Sequence, residues 1–172
     1  MKTVSFVAAA SNSGKTTLIE KIVRVLKARG YRVAVIKHAS RGFDLDRPGK
    51  DSWRFRQAGA DCVVLVGPGQ MAVLSTIDQE PGIEELERAV DADIIISEGF
   101  KQRAGNKIEV FRSGVSGSRP LCLDDPSFLA LVSDRPFDTP LPRFDLDDAD
   151  GVAEFILGRI AAEGEERGPC KF

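Results

Sequence analysis

The sequence lacks any apolar run approaching the roughly 20 residues that a membrane-spanning helix needs. Its N-terminus, Met1-Lys2-Thr3-Val4-Ser5-Phe6-Val7, offers one charge and too short an apolar stretch for a cleaved secretory signal. Both absences point to a cytoplasmic protein. Charge of one sign is missing too: 24 Lys and Arg stand against 26 Asp and Glu, a net charge of −2. That near-balance argues against a dedicated nucleic-acid binder, which would carry a clear basic excess, and gives no sign of a membrane-surface protein. Cysteine is scarce, and Cys62, Cys122 and Cys170 lie far apart without a C-x-x-C pair. This argues against a metal site built on them and predicts buried small apolar residues plus one tail thiol. No internal repeat is present. The 172 residues, 42% hydrophobic and 29% charged, suit one globular domain. That domain is expected over residues 1–162, with a flexible, polar C-terminal tail over 163–172.

What is there reads as alternating strands and helices. Residues 3–8 are short and apolar, a buried strand. Over residues 18–29, Leu18, Ile22, Val25 and Leu26 share one helical face, and Gly30 follows as a stop. Residues 32–37 and 61–66 read as strands, and residues 71–77 as a strand joined to the preceding one through Gly67-Pro68-Gly69. A helix over 83–90 precedes the most apolar strand, 93–97, expected at the centre of the sheet. The alternating stretch 107–112 reads as an edge strand, 128–132 as a buried one, and 151–162 as a closing helix with Asp147, Asp148 and Asp150 near its positive end. The pattern predicts an α/β fold with a largely parallel sheet flanked by helices and an additional edge-strand region. Between the second strand and a short helix at 52–58 lies a polar segment, residues 39–51, long enough for a functional loop.

The first strand runs into Ala9-Ala10-Ser11-Asn12-Ser13-Gly14-Lys15-Thr16 and then the first helix. This is a P-loop pattern with Ala at its first glycine position. The chemistry needs inward backbone N–H groups at phosphate oxygens, a helix N-terminus behind them, a lysine for the β- and γ-phosphates and a hydroxyl for Mg²⁺. Gly14 supplies close approach, Lys15 the charge and Thr16 the metal-directed oxygen. Ser11, Asn12, Ser13, Gly14, Lys15, Thr16 and Thr17 are the candidate nucleotide-binding residues. Asn12 is unexpected where many such loops carry glycine. A P-loop protein also needs an acid at the end of a neighbouring strand, for the metal's water shell or an attacking water. Glu98, closing Asp93-Ile94-Ile95-Ile96-Ser97-Glu98-Gly99, stands in that place.

Beyond these elements the chain resembles the MobB family of molybdopterin-guanine dinucleotide biosynthesis adaptor proteins. The likeness rests on Gly14-Lys15-Thr16-Thr17-Leu18, Val35-Ile36-Lys37-His38, and the stretch from Gly42-Phe43-Asp44-Leu45-Asp46-Arg47 through Pro48-Gly49-Lys50-Asp51-Ser52. It continues through Arg54-Phe55-Arg56-Gln57-Ala58-Gly59-Ala60, Glu98-Gly99-Phe100-Lys101 and Lys107-Ile108-Glu109-Val110, in order from Lys2 to about Leu157. The resemblance implies a GTP-binding P-loop NTPase fold, often a homodimer. Such a protein assists the nucleotidyltransferase that joins GMP to molybdopterin, with molybdopterin itself a candidate ligand.

Carried onto this chain, the resemblance gives the 39–51 loop a role. Asp44, Asp46 and Asp51 become candidates for Mg²⁺ or its waters, Asp44 first because Gly42-Phe43 would fix its backbone. Lys15, Glu98 and Asp44 are then the candidate catalytic residues, and Thr16, Glu98 and Asp44 the candidate metal ligands. Asp134, after the strand at 128–132, is placed to accept from guanine N1 and N2, although a turn aspartate explains it as well. His38, the sole histidine, reads as a hydrogen-bonded structural residue or a substrate contact, and Lys37 as a surface or phosphate-contacting lysine. Two basic groups, Arg41, Arg47 and Lys50, then Lys101, Arg103 and Lys107, read as a solvated face or a receiver of anionic groups. Trp53 and Phe55 read as core anchors of the short helix ahead of the alternative, a partner contact.

The function expected is a Mg²⁺- and GTP-dependent adaptor with slow hydrolysis of its own, because no preassembled arginine finger is marked in the sequence. The alternative is a P-loop small-molecule kinase, with Arg41, Arg47 and Arg54 imitating a lid. A non-catalytic nucleotide-dependent interaction module is the third reading.

Overall fold

A computed structural model describes residues 2–40, 42, 43, 45–100 and 105–166. In chain order it contains β1 (Thr3–Val7), α1 (Lys15–Ala28), β2 (Val33–Lys37), α2 (Asp51–Gln57), β3 (Cys62–Gly67), β4 (Gln70–Ser75), α3 (Ile83–Ala89), β5 (Ile94–Glu98), β6 (Lys107–Phe111), β7 (Phe128–Ser133), β8 (Arg143–Phe144) and α4 (Ala149–Glu166). A 3₁₀ turn at Leu121–Leu123 lies between β6 and β7. The chain divides into two compact units, residues 1–38 with 83–172, and residues 39–82. Among the described residues no helix is long and apolar enough to cross a membrane.

The first unit holds a parallel sheet in the order β2-β5-β1-β6-β7-β8. One face of it is apolar at every second residue: Val4 and Phe6, Ile94 and Ile96, Ile108 and Val110, Ala130 and Val132. Against that face pack Leu18, Ile22 and Leu26 of α1 and Val152, Ala153 and Ile156 of α4. Each large side chain removed from water there contributes about 1.5–3 kcal/mol. The opposite face is mixed. Ser5 and Ser97, register partners, share a 2.6 Å hydroxyl hydrogen bond, while Val7, Phe111, Cys122, Phe128 and Leu131 form a second apolar cluster.

This two-faced burial corrects three readings. The 107–112 stretch is not an edge strand: β6 lies between β1 and β7 and all of it is buried. Its alternation marks the difference between two covered faces. Glu109 is sheathed because its carboxylate accepts the N–H groups of Leu121 and Cys122 at 3.0 and 2.8 Å, and Lys107 because its ammonium meets Asp125 at 3.0 Å. Lys107 therefore sits at the start of β6, away from the sheet's C-terminal edge, and does not belong to a basic cluster there. The strand β5 is interior but flanked by the edge strand β2, leaving β1 and β6 as the middle pair.

In the second unit β3 and β4 pair as an antiparallel hairpin from Cys62↔Ser75 to Gly67↔Gln70, turning at the glycine-proline signal. Turn chemistry and backbone pairing define it more than burial does, since Val64, Val66, Met71 and Val73 are exposed. Cys62 is exposed while Cys122 is buried, so only the latter meets the expectation for a small core residue; Cys170 lies outside the described residues. Burial, with Glu109 beside it, pushes the Cys122 thiol up to about 12. The helix α2 buries none of its residues, and Phe55 is exposed. Seven residues, with Arg54 and Arg56 on either side of Phe55, leave that helix no continuous apolar face, so Phe55 does not anchor a core.

Candidate functional site

The sheet's C-terminal edge at β1 is where strand order reverses, with β5 on one side and β6 on the other. Ligands of open α/β sheets bind at such switch points. The 9–16 loop leaves β1 there. Asn12 has φ +61°, a left-handed conformation that asparagine tolerates better than most residues, which explains its place where glycine is common. Gly14 is the residue before α1, with φ +94°. A Cβ on it would be strained by the backbone and would lie 3.1 Å from Arg112 Nη2.

The first turn of α1 has no side-chain cap and no acidic residue. Its N–H groups and the positive end of a 14-residue helix are therefore available to an anion. Lys15 lies over the loop, its Nζ donating to Ala10 O at 3.5 Å and Ser13 Oγ at 3.4 Å, both long contacts. Thr16 Oγ1 donates to Glu98 Oε1 at 2.9 Å. Lys37 Nζ stands 3.6 Å from Glu98 Oε2, a pairing dictated by the Lys37↔Glu98 register of β2 and β5. The loop, Thr17, Glu98 and Arg112 wall a polar cleft of about 510 Å³.

Thr16 and Glu98 bring a hydroxyl and a carboxylate together, hard oxygen donors of the kind Mg²⁺ takes. No cluster of three or more His, Cys, Asp or Glu suited to a metal occurs among the described residues.

The other sequence candidates divide. Asp44, Arg41, Lys101 and Arg103 lie outside the described residues. Asp46 belongs to the second unit, where it is buried, accepts from Ser52 Oγ at 2.8 Å and approaches Arg56. Asp51 begins α2 and pairs with Arg54 at 3.7 Å. His38 continues β2, its N–H donating to Glu98 O at 2.8 Å and its ring meeting that of Phe100 at a tilt of 42°, centroids 5.2 Å apart. Gly99 is required there, because a Cβ would meet the His38 carbonyl oxygen at 3.0 Å and φ is +97°. Asp134 stands at the end of β7, at the same sheet edge, and accepts from the N–H and hydroxyl of Ser113. Those bonds, the backbone one foremost, hold its carboxyl below the usual range. Oδ1 accepts both the N–H and the hydroxyl of Ser113, so Oδ2, which shares only the N–H, is the oxygen with capacity for a further donor.

Sequence reasoning missed Arg112. It reaches the loop because β6 neighbours β1, and reading β6 as an edge strand hid that adjacency. A basic residue closing a strand parallel to the loop-bearing one was the available signal.

A family model described as "MobB: Molybdopterin guanine dinucleotide synthesis protein B" matches residues 3–134. The chain is 36% identical over 156 residues to the molybdopterin-guanine dinucleotide biosynthesis adapter protein of Escherichia coli K12, covering 87% of this chain and 89% of that one. It is 34% identical to the protein of the same name from Haemophilus influenzae, covering 85% and 83%. A crystal structure of molybdopterin-guanine biosynthesis protein B superposes with a TM-score of 0.72 at 30% identity, covering 91% of this chain and 99% of that one.

Proposed function

The chain belongs to the MobB family, and on that premise we propose that it is a GTP-binding adapter in the biosynthesis of the molybdopterin-guanine dinucleotide. The observation that carries the nucleotide part is the uncapped start of α1, set behind Gly14 and flanked by Lys15 and the Thr16–Glu98 pair.

In this reading the backbone N–H groups of the loop cradle the phosphates, and Lys15 neutralises the outer ones. Thr16 and Glu98 would hold Mg²⁺, which supplies charge neutralisation at the phosphates when bound. Glu98 lies at the cleft wall and would orient a water for hydrolysis, with Lys37 beside it keeping the carboxylate in place. Positioning and charge neutralisation are only partly provided within this chain, so isolated turnover is slow. The nucleotidyltransferase that joins GMP to molybdopterin is the proposed partner, with molybdopterin a candidate ligand. A second copy of the chain is proposed as well, supported by the exposed apolar side chains of the β3–β4 hairpin.

Asp134 is the proposed guanine reader, held by Ser113 at the sheet's ligand edge. Asp134→Asn is expected to weaken GTP binding and narrow the preference over inosine and xanthosine nucleotides; unchanged base selectivity removes the assignment.

The experiment is single-turnover GTP hydrolysis, with and without the nucleotidyltransferase, across protein concentrations that span dimerisation. Slow, Mg²⁺-dependent release of free phosphate that needs Thr16 and Glu98 supports the reading. Rapid turnover by a dilute monomer, or phosphoryl transfer to an added small acceptor, overturns it in favour of a self-sufficient GTPase or a kinase.

A further inference from the structure

The geometry points to Arg112 as a nucleotide-contacting residue that grips the phosphate chain on the side away from Thr16 and Glu98. This inference rests on the reading of the cleft as a nucleotide site and adds the residue that closes its second wall.

Arg112 is the first residue after β6, and its backbone is pinned before its side chain begins. Its N–H donates to Ser116 Oγ at 3.0 Å, and the N–H groups of Val115 and Ser116 return to its carbonyl at 3.2 and 2.9 Å. From that base the guanidinium extends over the loop. Nε donates to Ser13 O at 3.4 Å, and Nη2 stands 3.1 Å from where a Gly14 Cβ would be. A hydrogen bond that long is weak, so tethering the loop does not account for the arginine.

Arg32 and Arg119 are each committed to carboxylates, at 2.6–2.9 Å and 2.7 Å. The charge of Arg112 is felt by the Asp134 and Asp147 carboxylates, while its guanidinium faces a polar cleft lined by the start of α1. Its planar fork of N–H donors matches two phosphate oxygens at once.

The side of the cleft follows from strand order. With β1 between β5 and β6, Glu98 closes one flank of the loop and Arg112 the other. The Glu98 flank carries the Thr16 hydroxyl, the metal-directed group at the β- and γ-phosphates. The Arg112 flank adjoins Ser13 and Gly14, in the part of such loops that cradles the α- and β-phosphates. The ligand class is therefore any nucleoside di- or triphosphate, and the arginine does not depend on the γ-phosphate.

The test is calorimetric titration of GTP and GDP, with Mg²⁺, into the full chain and into Arg112→Ala, Arg112→Gln and Lys15→Ala, alongside single-turnover hydrolysis. Arg112→Ala is expected to lose on the order of tenfold or more in affinity, by the same factor for GTP and GDP. Arg112→Gln, which keeps a donor for Ser13 O without the charge, is expected to lose as much. The inference is overturned if the Gln variant binds like wild type, because the arginine would then be scaffolding the loop. It is equally overturned if GDP affinity is unaffected while hydrolysis slows, which would place the guanidinium at the γ-phosphate. If wild type binds and Lys15→Ala does not, while both Arg112 variants match wild type, the Arg112 assignment alone falls. If wild type binds neither nucleotide, the reading of the cleft falls with it.

Discussion

Two helices of the larger unit begin in opposite ways. The start of α4 is satisfied by its own chain: Asp148 accepts the Gly151 N–H at 2.9 Å, and Asp150 adds negative charge in the first turn. The start of α1 has neither a side-chain cap nor an acid, and its first residue is preceded by a left-handed glycine. Both are positive ends of helices packed on the same sheet face. One is neutralised by the fold, and the other is left for an outside anion. Omitting a cap forgoes about 1 kcal/mol of stability, which a bound nucleotide would return through linkage. On the proposed reading, the asymmetry separates a helix that only supports the sheet from one that also holds a ligand.

The largest expected effect comes from removing the charge that completes the open end. Lys15→Ala should lower Mg·GTP affinity on the order of a hundredfold, the scale of a lost charge-assisted contact. The nucleotide-free variant should still melt cooperatively, so that the loss falls on binding. Calorimetry and thermal denaturation check both halves. Gly14→Ala should damage site and fold together, costing about 1–3 kcal/mol in urea denaturation for the φ of +94° and crowding Arg112 at 3.1 Å. Asp148→Ala should act on the other helix alone. It is expected to cost about 1 kcal/mol in urea denaturation and leave nucleotide affinity as it was; a coupled loss of binding would erase the distinction between the two helix starts.

The smallest effect is one of pH. The Asp134 carboxyl is held low by Ser113, so its contribution is present above the ordinary carboxylate value near ~3.9 and is lost as pH falls through the depressed folded value. Melting temperatures measured between about pH 5 and pH 3 should therefore fall less steeply in Asp134→Asn than in wild type. Equal slopes would show that Ser113 does not stabilise the ionised form.

The open helix start is legible in the sequence because three independent signals coincide there: an apolar strand, the Gly-Lys-Thr loop and an amphipathic helix ending at a glycine. Glu98 is legible for a similar reason, as the acid closing the most apolar strand. The other wall is not. Lys107 and Glu109 make β6 look half exposed, and only the tertiary partners Asp125, Leu121 and Cys122 explain their burial. A strand placed at the edge carries its last residue away from the loop, so Arg112 disappears with it. The two-residue strand β8 is likewise too short to leave a pattern. Phe55 misleads in the other direction, since an aromatic residue in a seven-residue helix invites a core that α2 does not have.

The central claim is that α1 offers its N-terminal N–H groups to phosphate and α4 does not. Backbone amide chemical shifts, followed as Mg·GTP is titrated into the wild-type protein, test this at the atoms concerned. The account predicts large shifts at the amides of residues 13–17, with those of residues 149–151 unmoved. Saturable GTP binding that leaves the 13–17 amides unshifted would contradict it.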